Sequence, residues 1–150
     1  MTPTAERAPW DFVEPLALQG EQVLDRFLWI CFAGALGTGT RYLLGLWAAR
    51  TFGTGFPYGT LIVNLTGCFL IAAIMHVSLS TALVSPTLRL SLTTGFMGGL
   101  TTYSSFNYET TRFLQERAWA TGMLNFAVTT VGCFVAGLLG FVVARRLFGV

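Results

Sequence analysis

Charge is scarce in these 150 residues: Asp, Glu, Lys and Arg together make up 11%, and none of the nine basic residues is Lys. A soluble domain carries about twice that charged fraction. So few charges could not cover the surface of a small soluble protein, whereas a lipid-facing surface needs no such cover. Acids are rarer still. Glu6, Asp11, Glu14, Glu21 and Asp25 crowd the start, and only Glu109 and Glu116 follow. That acidic start argues against a secretory signal peptide, which wants a positive leading region. The formal net charge of +2 is too small and too scattered for nucleic-acid binding. His76 is the one histidine, and the acids lie outside the first, second and fourth apolar runs, so an acid–base pair for an enzyme is hard to assemble. Cys31, Cys68 and Cys133 are odd in number, far apart and without zinc-ligand or redox spacing. They read as small packing residues, Cys133 also falling on a mildly polar stripe.

Hydrophobic residues are abundant, at 53%, and the mean hydropathy is +0.64. Four apolar runs cover about residues 27–49, 58–79, 88–114 and 121–144. Each is near the roughly 20 residues that cross about 30 Å of hydrocarbon. The expectation is an all-α membrane protein of four transmembrane helices. The connections, 51–57, 80–86 and 115–120, are short, and Gly and Pro in the first two form turns. Residues 1–26 form a polar N-terminal extension, and 12–25 within it reads either as solvated chain or as a short interfacial helix. Residues 27–150 make the membrane domain. With four crossings, Arg7, Arg26, Arg89, Arg145 and Arg146 share one side, and Arg50, Arg112 and Arg117 the other. So even a distribution of positive charge hardly chooses an orientation. A chain that inserts both ways could pair antiparallel with itself.

The third run carries the polar anomaly: Gly95-Phe-Met-Gly-Gly-Leu-Thr-Thr-Tyr-Ser-Ser-Phe106. Gly98-Gly99 weakens a helix because glycine has the most backbone freedom to lose. The hydroxyls of Thr101, Thr102, Ser104 and Ser105 compete for backbone hydrogen bonds. A helix broken here frees carbonyls that lipid cannot satisfy, so the break must face protein, water or an ion. Inward carbonyls suit a bare monovalent cation, and broken helices of this kind mark ion sites in transporters. Close helix packing through Gly95 and Gly99 is the alternative. The hydroxyl run beside the glycines favours a site.

In the second run Thr60 and Asn64 share a helix face. Asn64 is an amide within an apolar run, costly unless hydrogen-bonded; it could serve an anion or join two helices. The first run, Gly34-Ala-Leu-Gly-Thr-Gly-Thr-Arg41-Tyr42, sets an arginine on a small-residue face. Such an arginine is a functional candidate by default, with snorkelling as the structural alternative. Thr129 and Cys133 in the fourth run, with Asn125 a turn earlier, make a mild polar stripe for which interhelical hydrogen bonding is the favoured reading.

Three of these stretches together, Gly34–Tyr42, Gly59-Thr-Leu-Ile-Val-Asn-Leu-Thr-Gly67 and Gly95–Phe106, closely resemble the signatures of the Fluc (CrcB-type) fluoride channels, over about residues 27–146. The resemblance implies an antiparallel, dual-topology homodimer with two fluoride pores, its third helix broken mid-membrane. It implies a structural sodium ion at the dimer centre, held by the backbone carbonyls of Gly98 and Thr101. Tyr103 and Phe106 match the paired pore aromatics, Asn64 the pore amide and Arg41 the vestibule arginine. Thr60, Ser104 and Thr129 match hydroxyls of the polar track, and Glu109 a pore-end acid. The activity implied is passive export of fluoride across the inner membrane, giving fluoride resistance. Two departures stand out: Tyr103 where phenylalanine is usual, and Asn125 where tyrosine is expected. A small multidrug exporter is the nearest rival. Exporters of that kind exchange protons at a carboxylate in the first span, and residues 27–49 contain neither Asp nor Glu. A non-conducting membrane scaffold is the other.

Overall fold

The computed structural model describes residues 20–81 and 83–149. Those residues are almost entirely helical, with no strand among them. Helix α1 is Gly20–Phe52, α2 Tyr58–Ser80, α3 Pro86–Leu90, α4 Gly98–Leu100, α5 Tyr103–Gln115 and α6 Trp119–Phe148, with a π-helical stretch, Ser91–Met97, between α3 and α4. α1, α2 and α6 are each long and apolar enough to cross a membrane. Large apolar side chains point outward along them, with Phe32 59% and Phe134 69% exposed, as a lipid-facing surface requires.

α1 begins seven residues before the first apolar run and crosses the expected 26/27 boundary without a break. At about 1.5 Å per residue it is about 50 Å long, so its first turns extend beyond a hydrocarbon core of about 30 Å. The reading of 12–25 as solvated chain or interfacial helix falls, for residues 12–19, outside the described part of the chain. α1 stops at Gly53, whose positive φ of 79° suits glycine, and whose N–H donates to the Ala49 carbonyl at 3.1 Å. α3 starts on Pro86 at its first position, with the Ser85 hydroxyl accepting the Leu88 N–H.

Glycine brings α1 and the third apolar run together in parallel. A methyl added at Gly95 would meet the Ile30 carbonyl at 2.7 Å, and one at Gly99 the Gly34 carbonyl at 2.3 Å. From the α1 side, Gly37 would meet the Phe96 carbonyl at 2.1 Å. The packing role weighed for Gly95 and Gly99 is therefore real. Gly98 and Gly99, expected to weaken the helix, are themselves helical, and the chain leaves the helix only at Thr101. α2 and α6 pack in the same close manner, Gly140 against the backbone of Phe69. Val63, Met97 and Leu100 form the small buried core between these layers.

Close approach predicts an asymmetry between two glycines of α1. Gly37→Ala drives its new methyl into backbone and lowers stability by about 1–3 kcal/mol. Gly39→Ala meets nothing within 4 Å and is neutral or stabilising by up to about 1 kcal/mol. Thermal unfolding in detergent compares the two.

Candidate functional site

The helix interruption is set by one side chain. Thr101 (φ −82°, ψ 156°) and Thr102 (φ −152°, ψ 107°) are extended between α4 and α5. Asn64 of α2 grips the Thr102 backbone from both sides: its Nδ2 donates to the Thr102 carbonyl at 3.1 Å, and its Oδ1 accepts the Thr102 N–H at 2.7 Å. Asn64 is 7% exposed, so both bonds are shielded from competing solvent. Thr102 then caps α5, its Oγ1 accepting the Ser105 N–H at 3.1 Å.

Two carbonyls lose their partners as a result. In an unbroken helix Thr102 N–H would serve the Gly98 carbonyl, and Ser105 N–H the Thr101 carbonyl. The first donor goes instead to Asn64 and the second to the Thr102 hydroxyl. Gly98 and Thr101 both line a cavity of ≈470 Å³ between α2, the interruption, α5 and α6. Main-chain oxygens released from helical bonding, on residues that line a shared cavity, are suitable donors for a hard monovalent cation, so these residues fit the sodium ion that the sequence resemblance implied.

The same cavity is lined by Asn64, Tyr103, Phe106 and Thr129. Phe106 is 5% exposed and Tyr103 77%, and their rings meet edge-on with centroids 5.5 Å apart. Below Phe106 runs a chain of hydrogen bonds. Thr129 donates to Asn125 Oδ1 at 3.4 Å, Asn125 Nδ2 to the Thr110 hydroxyl at 2.9 Å, and Thr110 to the Phe106 carbonyl at 2.8 Å. Asn125 is thus buried and ties α6 to α5, which is the interhelical reading of the polar stripe.

A second cavity, ≈510 Å³, lies toward the α1–α2 loop and is lined by Gly53, Thr60, Glu109, Arg112 and Glu116 among others. Thr60 Oγ1 donates to Glu109 Oε1 at 2.6 Å. Glu109 Oε2 is buried with no partner among the described residues. Arg112 is paired with Glu116 at 2.8 Å on the exposed face of α5.

Asn64, Gly98, Thr101, Tyr103, Phe106 and Thr129 therefore meet around one cavity, and Thr60 and Glu109 at the other. Arg41, half-buried on α1, lines neither. Ser104, an exposed residue, lines neither as well; its hydroxyl sits 3.2 Å from Thr102 Oγ1. His76, given no role, packs its ring on Phe141. Thr102 is the residue that sequence reasoning passed over. It stood out only as one hydroxyl in a run, and nothing local marks it as the partner of Asn64.

The family model described as "CrcB-like protein, Camphor Resistance (CrcB)" matches residues 28–141. A relative from Sorangium cellulosum is 56% identical over 124 residues, covering 83% of this chain and 98% of its own. One from an Anaeromyxobacter species is 49% identical over 126 residues, covering 84% of this chain and 100% of its own. One from Citrifermentans bemidjiense is 45% identical over 124 residues, covering 83% and 100%. Each of the three is named a fluoride-specific ion channel FluC.

Proposed function

The chain belongs to the CrcB-like family, whose relatives are ion channels and not enzymes, and on that premise we propose that it is a fluoride-selective channel. It carries fluoride passively out of the cell across the inner membrane and so confers fluoride resistance. The observation that carries this reading is the meeting of the Asn64 amide, the Thr129 hydroxyl and the Phe106 ring edge around one cavity.

Fluoride is small and strongly hydrated, so a path through a membrane must replace its water with other donors. Asn64 spends one Nδ2 hydrogen on Thr102 and keeps a second. The positive edge of Phe106 adds a further weak donor, and the Thr129 hydroxyl adds another when it turns from its 3.4 Å bond to Asn125 Oδ1. Several weak sites in series permit entry and exit alike. Ser104 extends the hydroxyl track, and Arg41 raises anion concentration near one vestibule.

Two copies pair antiparallel, each of four crossings with the third interrupted at mid-membrane, to give two pores. The Gly98 and Thr101 carbonyls of the interruption would hold a sodium ion between the copies; when bound, that ion supplies fixed positive charge and joins the two chains. The release of these carbonyls from helical bonding, on residues that line the cavity, supports that arrangement. Lipid covers the outward apolar faces.

Purified protein in liposomes, read with a fluoride electrode, tests the reading. Efflux of fluoride without efflux of chloride supports it. Proton-coupled cation uptake would favour an exporter, and no flux a scaffold. At the other cavity, Thr60→Val and Glu109→Gln each slow efflux by about tenfold, since a hydrogen bond to a charged group contributes about 1.5–3 kcal/mol. The double variant is no slower than Glu109→Gln, because the two residues act through one bond.

A further inference from the structure

Cys68 and Cys133 have no motif spacing in the sequence, yet the fold brings them together. Small residues hold α6 close to α2 around Cys133: a methyl added at Gly132 would meet Leu65 Cδ2 at 2.9 Å, and one at Gly137 the Cys68 carbonyl at 3.7 Å. Cys133 lies on α6 between these two contacts and Cys68 on the facing part of α2; the thiols are not joined as a disulfide, and both residues line the ≈470 Å³ cavity. We propose that Cys68 and Cys133 form a two-thiol site for a soft, two-coordinate cation such as Hg(II), Ag(I) or Cu(I), set in the wall of that cavity.

The donor set decides the class of ion. Thiolates select soft metals, and two of them satisfy a linear ion. No group of three or more metal-ligating side chains occurs among the described residues, so a four-coordinate zinc site lacks its ligands. With Hg(II), each thiol releases its proton to solvent, two Hg–S bonds form, and nothing is oxidised or reduced. Flexible sulfur side chains on facing helices can open by one rotamer to admit the ion between them.

Cys31 is exposed on α1 and is a separate thiol, so the test uses the full chain with Cys31→Ala. Titration with HgCl2 against a competing monothiol should give one Hg(II) per chain, with both remaining thiols lost to a thiol reagent together. Cys68→Ser and Cys133→Ser should each weaken binding at least about 100-fold, the usual loss when two linked contacts become one. Unchanged affinity in either variant overturns the site. X-ray absorption at the mercury edge, on the chain that retains both thiols, needs no further substitution: two sulfur neighbours are expected, and one overturns the proposal. Neither readout depends on fluoride conduction, so the site and the channel reading fail independently.

Discussion

Fluoride efflux from liposomes carrying Asn64→Ala falls to the rate of protein-free vesicles, and the variant unfolds at a lower temperature than the parent. Both effects follow from the two bonds between Asn64 and the Thr102 backbone. Truncation leaves a buried N–H and a buried carbonyl unpaired, at about 1–3 kcal/mol each. The freed N–H has one near alternative, the Gly98 carbonyl it would serve in a regular helix. Taking it would straighten the chain through Thr101 and Thr102 and withdraw a carbonyl from the cavity. The variant therefore loses a pore donor and the geometry of the interruption at once. Asn64→Asp is expected to fail as well. It keeps an acceptor for the Thr102 N–H but faces the Thr102 carbonyl with a second oxygen and offers no donor, so it too loses efflux. Parental efflux in Asn64→Ala overturns the pore assignment of this residue.

Much of this architecture is legible in the sequence because its causes are local. Apolar runs of membrane-crossing length locate α1, α2 and α6, and glycine and proline locate the first two connections between runs. Helix ends are less legible where polar residues continue a helix beyond the apolar run. Glu21, Asp25 and Arg26 lower the hydropathy at the start of α1 without interrupting its backbone bonding. The π-helical stretch at Ser91–Met97 is hidden for another reason: a shift from i−4 to i−5 bonding has no composition of its own. The candidate site divides in the same way. Asn64 and Phe106 stand out as residue types in unusual surroundings. The Asn64–Thr102 grip, the Asn125–Thr110 link and the Cys68–Cys133 pair join distant segments, and only packing reveals them. Gly98-Gly99 shows the opposite error, in which a weak intrinsic propensity is overridden because α1 packs closely against Gly99.

The paired aromatics separate a ring edge from a hydroxyl. Phe106→Leu lowers fluoride efflux by up to about tenfold, while Tyr103→Phe leaves it within about twofold of the parent. Leucine keeps apolar bulk at a site only 5% exposed, so packing changes little and the lost property is the positive ring edge. An edge interaction of about 0.5–1.5 kcal/mol, removed where the ion has given up water, approaches the roughly 1.4 kcal/mol that corresponds to a tenfold change in rate. Tyr103 is 77% exposed and meets Phe106 through its ring rather than its hydroxyl, with centroids 5.5 Å apart. Removing that hydroxyl leaves the ring pair intact, and an exposed substitution of this kind is worth within about 0.5 kcal/mol. Efflux assays on both variants, normalised to inserted protein, decide the matter. Loss of efflux in Tyr103→Phe would make the hydroxyl a required donor, and the conduction path in this chain would then run past the exposed face of α5 rather than along the buried edge of Phe106.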